Sequence, residues 1–253
     1  MADTLLDYEA EAAHYDATRG GVPRAEAAAG AVLRLLPPGT GTLLDLACGT
    51  GLVTERIARP GLRVVGADAA RAMLLTAGRR LPGRVVRADA RRLPFPDASL
   101  DAVCAVWLLH LVPFTAEIVA EAARVLRPGG VLVVTVDKDA AHDVGSDIDA
   151  LLRPHRAAGA AHDGADRVAA LAAAHGLVPA GSATFTGHGQ GATPAATARR
   201  LRAGYYASWY RGEPAATEAL AAALAALPDR DRPRPAPEYR LRAHAKPPAA
   251  PSA

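Results

Sequence analysis

The chain has 253 residues, half of them hydrophobic, with a formal net charge of +3 and a sequence pI near 9.1. That length suits one α/β domain with insertions and a sizeable core, and no run approaches the ~18 apolar residues of a membrane span. Basic pairs such as Arg79–Arg80 and Arg91–Arg92 are scattered rather than striped, and Lys138 and Lys246 are the only lysines among abundant arginine, alanine and proline. The pI therefore reflects the codon bias of a GC-rich genome more than a nucleic-acid surface.

Cys48 and Cys104 are the only cysteines. They give neither a disulfide framework nor zinc spacing, and they suit a reducing cytoplasm. The acidic start, Met1-Ala-Asp-Thr-Leu-Leu-Asp-Tyr-Glu9, lacks the basic segment of a signal peptide.

In chain order, a helix is expected over 24–36, ended by Pro37-Pro38-Gly39. Strands are expected at about 42–47, 62–67, 84–88, 100–106 and 130–136, with helices near 52–59, 70–80 and 115–126. Alternation of this kind builds a parallel sheet covered on both faces, and near-continuous apolar strands such as Gly130-Val-Leu-Val-Val-Thr135 agree with it.

Beyond Asp137 the pattern reads as a helix at 144–158 and another at 163–175, the latter capped by Asp163 or Asp166 and ended by Gly176. A strand at 177–186 and a glycine-flanked loop holding His188 and Gln190 follow. Helices at 194–211 and 214–226 lead to a proline–arginine linker, Pro228 to Pro237, and an alternating last strand, Tyr239 to His244. The residues after Pro247 are a loose tail.

The stretch Leu43-Leu-Asp-Leu-Ala-Cys-Gly-Thr-Gly51 runs a buried strand into a tight glycine turn. A second apolar run, Arg63-Val-Val-Gly-Ala-Asp68, ends on a carboxylate 23 residues after Asp45. These are the parts of a βαβ nucleotide site, in which glycines admit the ligand and the carboxylate takes the ribose hydroxyls. A dinucleotide fingerprint needs a third small residue, where this chain has Thr54. Asp45 lies four residues before Gly49, where a carboxylate repels phosphate and attracts a cation.

With that turn, Asp45-Leu-Ala-Cys-Gly-Thr-Gly51 resembles the first motif of class I S-adenosylmethionine (SAM)-dependent methyltransferases, in the small-molecule subgroup. Val86-Arg-Ala-Asp89-Ala90 with Leu93-Pro-Phe-Pro resembles the family's adenine-contacting loop. Leu100 to Leu111 resembles its fourth strand and following loop, and Arg124 to Thr135 its helix, turn and fifth strand. Tyr15-Asp-Ala-Thr-Arg19 resembles the cap segment that closes over the cofactor. Together these cover residues 14 to 136.

The resemblance implies a Rossmann-like, doubly wound α/β fold with a mostly parallel seven-stranded sheet. A helical cap (1–38), a cofactor-binding core (39–186), a helical insertion (187–230) and a last strand (237–246) make one domain, and 247–253 is the tail. It also implies SAM as cofactor. Gly49, Gly51 and the Ala47 carbonyl would line it, Asp45 would orient its amino end, and Asp68 beside Ala69 would take the ribose hydroxyls. Asp89 with the Ala90 amide would meet adenine, or else Asp89 is a solvated loop carboxylate. Met73 either packs on the adenosine or belongs to the core.

Tyr15 and Arg19 are the candidate cap contacts, with the Arg19 fork suited to the cofactor carboxylate. Trp107 flanks the cofactor, and His110 is the candidate general base. His188, Gln190, Tyr205, Tyr206 and Trp209 are the candidate substrate contacts; at helical spacing the aromatics 205/209 and 206/210 pair on one face. The acidic and histidine residues Asp137, Asp139, His142 and Asp143 cluster without a metal-binding spacing, and no metal is expected.

The expected function is methyl transfer to a small-molecule acceptor of secondary metabolism, by a cytoplasmic monomer or homodimer without nucleic-acid or membrane partners. The alternatives are a SAM-binding protein of this fold that catalyses a cyclisation or rearrangement, and a non-catalytic partner subunit.

Overall fold

The computed structural model describes residues 8–156, 161–206, 210 and 212–248. Two short helices, α1 (Tyr8–Glu11) and α2 (Tyr15–Thr18), precede a longer one, α3 (Gly21–Arg34). The central elements are then β1 (Thr42–Leu46), α4 (Leu52–Ile57), β2 (Arg63–Asp68), α5 (Arg71–Arg80), β3 (Val85–Arg87), β4 (Leu100–Ala105), α6 (Thr115–Val125) and β5 (Leu126–Val136). The remainder comprises α7 (Asp147–Leu152), α8 (Ala165–Ala174), β6 (Val178–Thr186), α9 (Pro194–Arg202), α10 (Pro214–Ala225) and β7 (Glu238–Ala245).

The seven strands form one sheet in the order β3-β2-β1-β4-β5-β7-β6. β1, β2, β3, β4 and β5 pair in parallel, and β7 runs antiparallel to both β5 and β6. This is the Rossmann-like, doubly wound α/β arrangement. Alternation along the strands sends successive side chains to opposite faces. Leu44 and Leu46 join Ile118, Val119, Val168 and Ala172, from α6 and α8, in one core cluster. Leu43 joins Ala28, Val32 and Ile57, from α3 and α4, in the other. The chain order reverses beside β1, where β4 lies on the side away from β2. Ligands of open α/β sheets bind at such a switch point, at the carboxyl ends of the strands.

The C-terminal half departs from its sequence pattern in three places. α9 ends at Arg202 rather than continuing to 211, because Gly204 takes φ +72° and its amide bonds back to the Leu201 carbonyl. Tyr205 and Tyr206 therefore lie in a turn, not on a helical stripe, and their rings meet edge to face at 5.2 Å. Trp209 lies outside the described residues.

The start of α8 is capped by neither Asp163 nor Asp166. Asp137 Oδ1 accepts the Ala165 amide at 3.0 Å, while the buried Asp163 carboxylate accepts the Lys138 amide at 2.8 Å. The helix expected over 144–158 is shorter, closing after Leu152 into a 3-10 turn over Arg153–His155. A third apolar cluster joins α7 to α9 and α10, with Ile148, Leu152, Leu201, Leu220 and Leu224 inside. No helix among the described residues is long and apolar enough to cross a membrane.

Candidate active site

The turn after β1 is a run of backbone that glycine tolerates. Ala47, Gly49 and Gly51 take φ values of +60°, +55° and +76°. The two glycines differ in what surrounds them. A Cβ on Gly51 would lie 3.1 Å from the Ala77 Cβ, so this residue lets α5 approach. A Cβ on Gly49 would meet nothing within 4 Å, so this one faces open space. β2 passes close beneath, since a Cβ on Gly66 would fall 2.8 Å from Cys48 Sγ.

Three amides of the turn are bonded within the protein. Cys48 N donates to Ala67 O at 3.0 Å, Gly51 N to Cys48 O at 2.9 Å, and Gly49 N to Asp68 Oδ2 at 2.8 Å.

Two carboxylates frame the space above Gly49. Asp68 also accepts the Ala70 amide, through Oδ1 at 2.9 Å, so each of its oxygens keeps one lone pair for another donor. Burial pushes its carboxyl up, against the pull of those backbone amides. Asp45 is 3% exposed and accepts from Thr54 Oγ1 at 2.5 Å and from Cys104 Sγ at 3.4 Å. Burial raises it to about 6, although both hydrogen bonds oppose the shift. A buried carboxylate without a cationic partner favours a positively charged ligand.

The N-terminal segment closes over this seat. Glu9 accepts the Arg71 and Ala72 amides at 2.7 and 2.8 Å, capping α5 from outside. Asp16 accepts from Thr50 Oγ1 at 2.6 Å and from Arg80 at 2.7 Å, and Arg80 also donates to the Thr50 carbonyl at 2.7 Å. The cleft beneath is lined by Tyr15, Asp16, Arg19 and Arg24 on the cap side, by Asp45, Ala47, Gly49 and Thr50 on the turn, and by Trp107. Arg19 turns to Glu11 at 3.4 Å and to the Tyr205 hydroxyl at 3.3 Å, which ties the cap to the insertion.

Behind Trp107, apart from the cleft lining, a chamber filled by packed aromatic and imidazole side chains lies over β5, β7 and β6. Trp107 takes φ +60° directly after β4, and its amide donates to Thr135 Oγ1 at 3.1 Å. Its ring sits edge-on to Phe185 at 5.4 Å and to Tyr239 at 5.5 Å. The Tyr239 hydroxyl donates to Gln190 Oε1 at 2.7 Å and lies 3.1 Å from His142 Nε2. An amide oxygen only accepts, so the single tyrosyl proton goes to Gln190 and His142 Nε2 carries its own hydrogen. Burial lowers His142 to about 4, helped by Lys138.

His110 stands in the 3-10 turn Leu109–Leu111, with a buried Nδ1 that has no partner among the described residues. Burial, then Lys138, drives it to about 3. Both imidazoles are neutral, and His110 is a poor match for a base working near neutrality. A second depression, at the amino edge of the sheet around Gly41, Pro60 and Arg84, carries no acid or nucleophile.

Residues 44–134 match the methyltransferase-domain family. The chain is 41% identical over 98 residues to the ubiquinone/menaquinone biosynthesis C-methyltransferase UbiE of Desulfotalea psychrophila, covering 37% of this chain and 40% of that one. It is also 41% identical over 109 residues to a demethylmenaquinone methyltransferase of Clavibacter sepedonicus, covering 41% of this chain and 44% of the relative. The chain thus spans about two-fifths of the length of these relatives. Over residues 44–134 the chain is thus similar to class I SAM-dependent methyltransferases. Across the whole length, the crystal structure of the [4+2]-cyclase SpnF superposes with a TM-score of 0.60 at 21% identity, covering 96% of this chain and 94% of that one. At that identity the likeness shows the fold.

SAM is the cofactor that goes with this domain, and the residues present fit it. Asp45 disfavours a pyrophosphate and favours a cation, Asp68 keeps acceptor capacity for a diol, and Gly49 leaves room. Among the sequence-derived candidates, the cleft brings together Tyr15, Arg19, Asp45, Ala47, Gly49 and Trp107, with Asp68 bonded to its turn and Gly51 supporting it.

Several others stand apart. Asp89 is nearly half exposed and its carboxylate is held by Arg91, from 2.6 to 3.1 Å. Ala69 is exposed, and Ala90 packs beside the core. Met73 is 1% exposed within α5 and does not line the cleft. His188 is exposed while Gln190 turns inward, and Tyr205 is 51% exposed. Asp137, His142 and Asp143 go to separate partners, namely the α8 cap, Tyr239 and Arg153.

Sequence reasoning missed Arg24, Asp16, His142 and Tyr239. Arg24 had a legible signal, a charge on the alanine face that α3 buries through Ala28 and Val32. His142 and Tyr239 had none, since their meeting depends on β7 returning between β5 and β6.

Proposed function

We propose that this protein transfers a methyl group from SAM to a small-molecule acceptor. The acceptor would enter between the N-terminal cap, Trp107 and the loop holding Gln190. The observation that carries this reading is the buried Asp45 carboxylate beside the Gly49–Asp68 bond, a seat for a cationic nucleoside, in a cleft that runs from the cap to Trp107.

Bound SAM would supply an electrophilic methyl group on a sulfonium that leaves as a neutral thioether. The protein's part is mainly to hold donor and acceptor in line, which lowers the barrier by several kcal/mol. Asp68 would accept from the ribose hydroxyls, Asp45 would balance the positive charge of the amino end, and Arg19 of the cap is the candidate partner for the carboxylate end. Asp89 would meet adenine only by releasing Arg91. Trp107 and Tyr239 would set the wall against which a planar acceptor lies. His142, with its Nε2 hydrogen committed to Tyr239, keeps Nδ1 as an acceptor, but burial makes it, like His110, a weak base, so an acceptor that is already nucleophilic suits the site better.

A quinone-like ring acceptor is one member of this class, in keeping with the relatives' names. A second reading is a cyclisation or rearrangement with SAM held as a structural cofactor. The weakly basic chamber and the whole-length likeness to a cyclase fold favour keeping it. Mass spectrometry of reactions with SAM and candidate acceptors separates the two. A product heavier by one methylene unit, with S-adenosylhomocysteine formed in equal amount, supports transfer. An isomer without S-adenosylhomocysteine supports the second reading.

A further inference from the structure

Arg24 is a buried cation that the protein itself does not neutralise. It stands in the first turn of α3 and is 6% exposed. One of its terminal nitrogens donates to the Arg19 carbonyl, its Nε has no partner, and among the described residues no carboxylate lies within ion-pair distance. Its Cζ is 3.5 Å from the centroid of the Trp107 ring. Burial lowers Arg24, against Tyr15, which also hydrogen-bonds it, and Tyr239. The acids of the region have other partners: Asp139 pairs with Lys138 at 2.9 Å, Asp16 with Arg80 at 2.7 Å, and Asp45 accepts from Thr54.

A guanidinium on an aromatic face keeps its in-plane N–H groups for a planar, two-oxygen acceptor. Desolvating it without a counter-charge costs free energy that an arriving anion would recover. Its position selects the source of that anion. Trp107, on which Arg24 lies, leans on Phe185 of β6 and Tyr239 of β7, whereas Asp68 and Gly49 sit over β2 and β1. The cation thus stands at the Trp107 end of the cleft that it shares with Asp45 and Gly49.

We propose that the acceptor carries a carboxylate and that Arg24, floored by Trp107, receives it. The word acceptor rests on the methyl-transfer reading. The carboxylate site itself does not, and the test keeps the two apart.

Wild type, Arg24→Gln and Arg24→Lys are titrated calorimetrically with benzoate and 4-hydroxyphenylacetate and with their amides, benzamide and 4-hydroxyphenylacetamide. Each titration is run with and without S-adenosylhomocysteine, after circular dichroism confirms the fold. S-adenosylhomocysteine and methylthioadenosine, which lacks the amino-acid end, are titrated in parallel. Wild type is expected to bind each acid about tenfold more tightly than its amide, a margin set by one charge-assisted pair. Arg24→Gln should erase the preference and Arg24→Lys retain part of it, while S-adenosylhomocysteine affinity stays within about twofold.

Equal binding of acid and amide by wild type, or failure of both acids to bind, overturns the proposal. So does a loss in Arg24→Gln that falls on S-adenosylhomocysteine and spares methylthioadenosine, because the guanidinium would then serve the cofactor. A carboxylate preference in a protein that binds no S-adenosylhomocysteine supports the anion site and overturns the methyl-transfer reading instead.

Discussion

The Gly49 amide donates to Asp68 Oδ2 at 2.8 Å, so the glycine turn after β1 and the carboxylate ending β2 are one unit. That bond and the one from Ala70 N to the other oxygen fix the carboxylate. Asp68→Ala is expected to weaken SAM binding ten- to a hundredfold or more, from the loss of hydrogen bonds to a charged group worth about 1.5–3 kcal/mol each. Calorimetric titration measures it, and unchanged affinity would remove Asp68 from the ribose role.

Asp45 makes SAM binding depend on pH. Its folded carboxyl stands near 6 against an ordinary 3.8. A cation arriving beside it favours the ionised form, so affinity should rise as pH increases through about 6 and level off above it, with proton release during binding. Titration in buffers of different ionisation enthalpy detects the proton. Affinity that is flat across this range would contradict a direct role for the carboxylate.

The same group has a stability consequence of opposite sense. A carboxyl raised on folding contributes stability that is complete below its unfolded value and is lost as pH rises through the folded value. Ionised Asp45 therefore costs the ligand-free protein up to about 3 kcal/mol near neutrality, from a shift of about two units at 1.36 kcal/mol each. Asp45→Asn should raise the melting temperature of the ligand-free protein near pH 7, with the gain vanishing near pH 4, while abolishing tight SAM binding. A variant that melts lower at neutral pH would contradict the burial account.

The two glycines of the turn should fail differently. Gly51→Ala forces a Cβ to 3.1 Å from Ala77 at φ +76°. It should destabilise the fold by about 2 kcal/mol or more, as the left-handed conformation alone costs roughly 1–2. Gly49→Ala carries the conformational cost without the clash. Its larger effect should be on SAM affinity, since the new methyl enters the open space over the turn. Thermal melts and titrations of the two variants read this contrast directly, and equal melting losses would refute it.

The cap is latched to the seat through Asp16, Thr50 and Arg80. Asp16 and Arg80 are about a quarter exposed, so their ion pair is worth on the order of 1 kcal/mol. Asp16→Ala should leave the fold intact and speed SAM release about fivefold to tenfold, as followed by stopped-flow fluorescence. An unchanged release rate would mean that the cap does not gate the site.

The sequence by itself determined the core. Two periodicities, the glycine turn and the carboxylate 23 residues on are local patterns, and local steric and polar preferences suffice to place strand, turn and helix and to mark Asp45, Gly49 and Asp68. It did not determine where α9 stops, because Gly204 overrides an otherwise helical run, nor which acid caps α8, because Asp137 reaches that helix from the far end of β5.

The chamber was decided by tertiary structure alone. Tyr239, His142 and Gln190 are separated by 97 and 49 residues from one another's hydroxyl contact, and they meet because β7 inserts antiparallel between β5 and β6. The same packing lays α3 over the sheet and carries Arg24 onto Trp107. Contacts of that range leave no periodic trace in a single chain, since they depend on which faces of distant elements are pressed together when the core is buried.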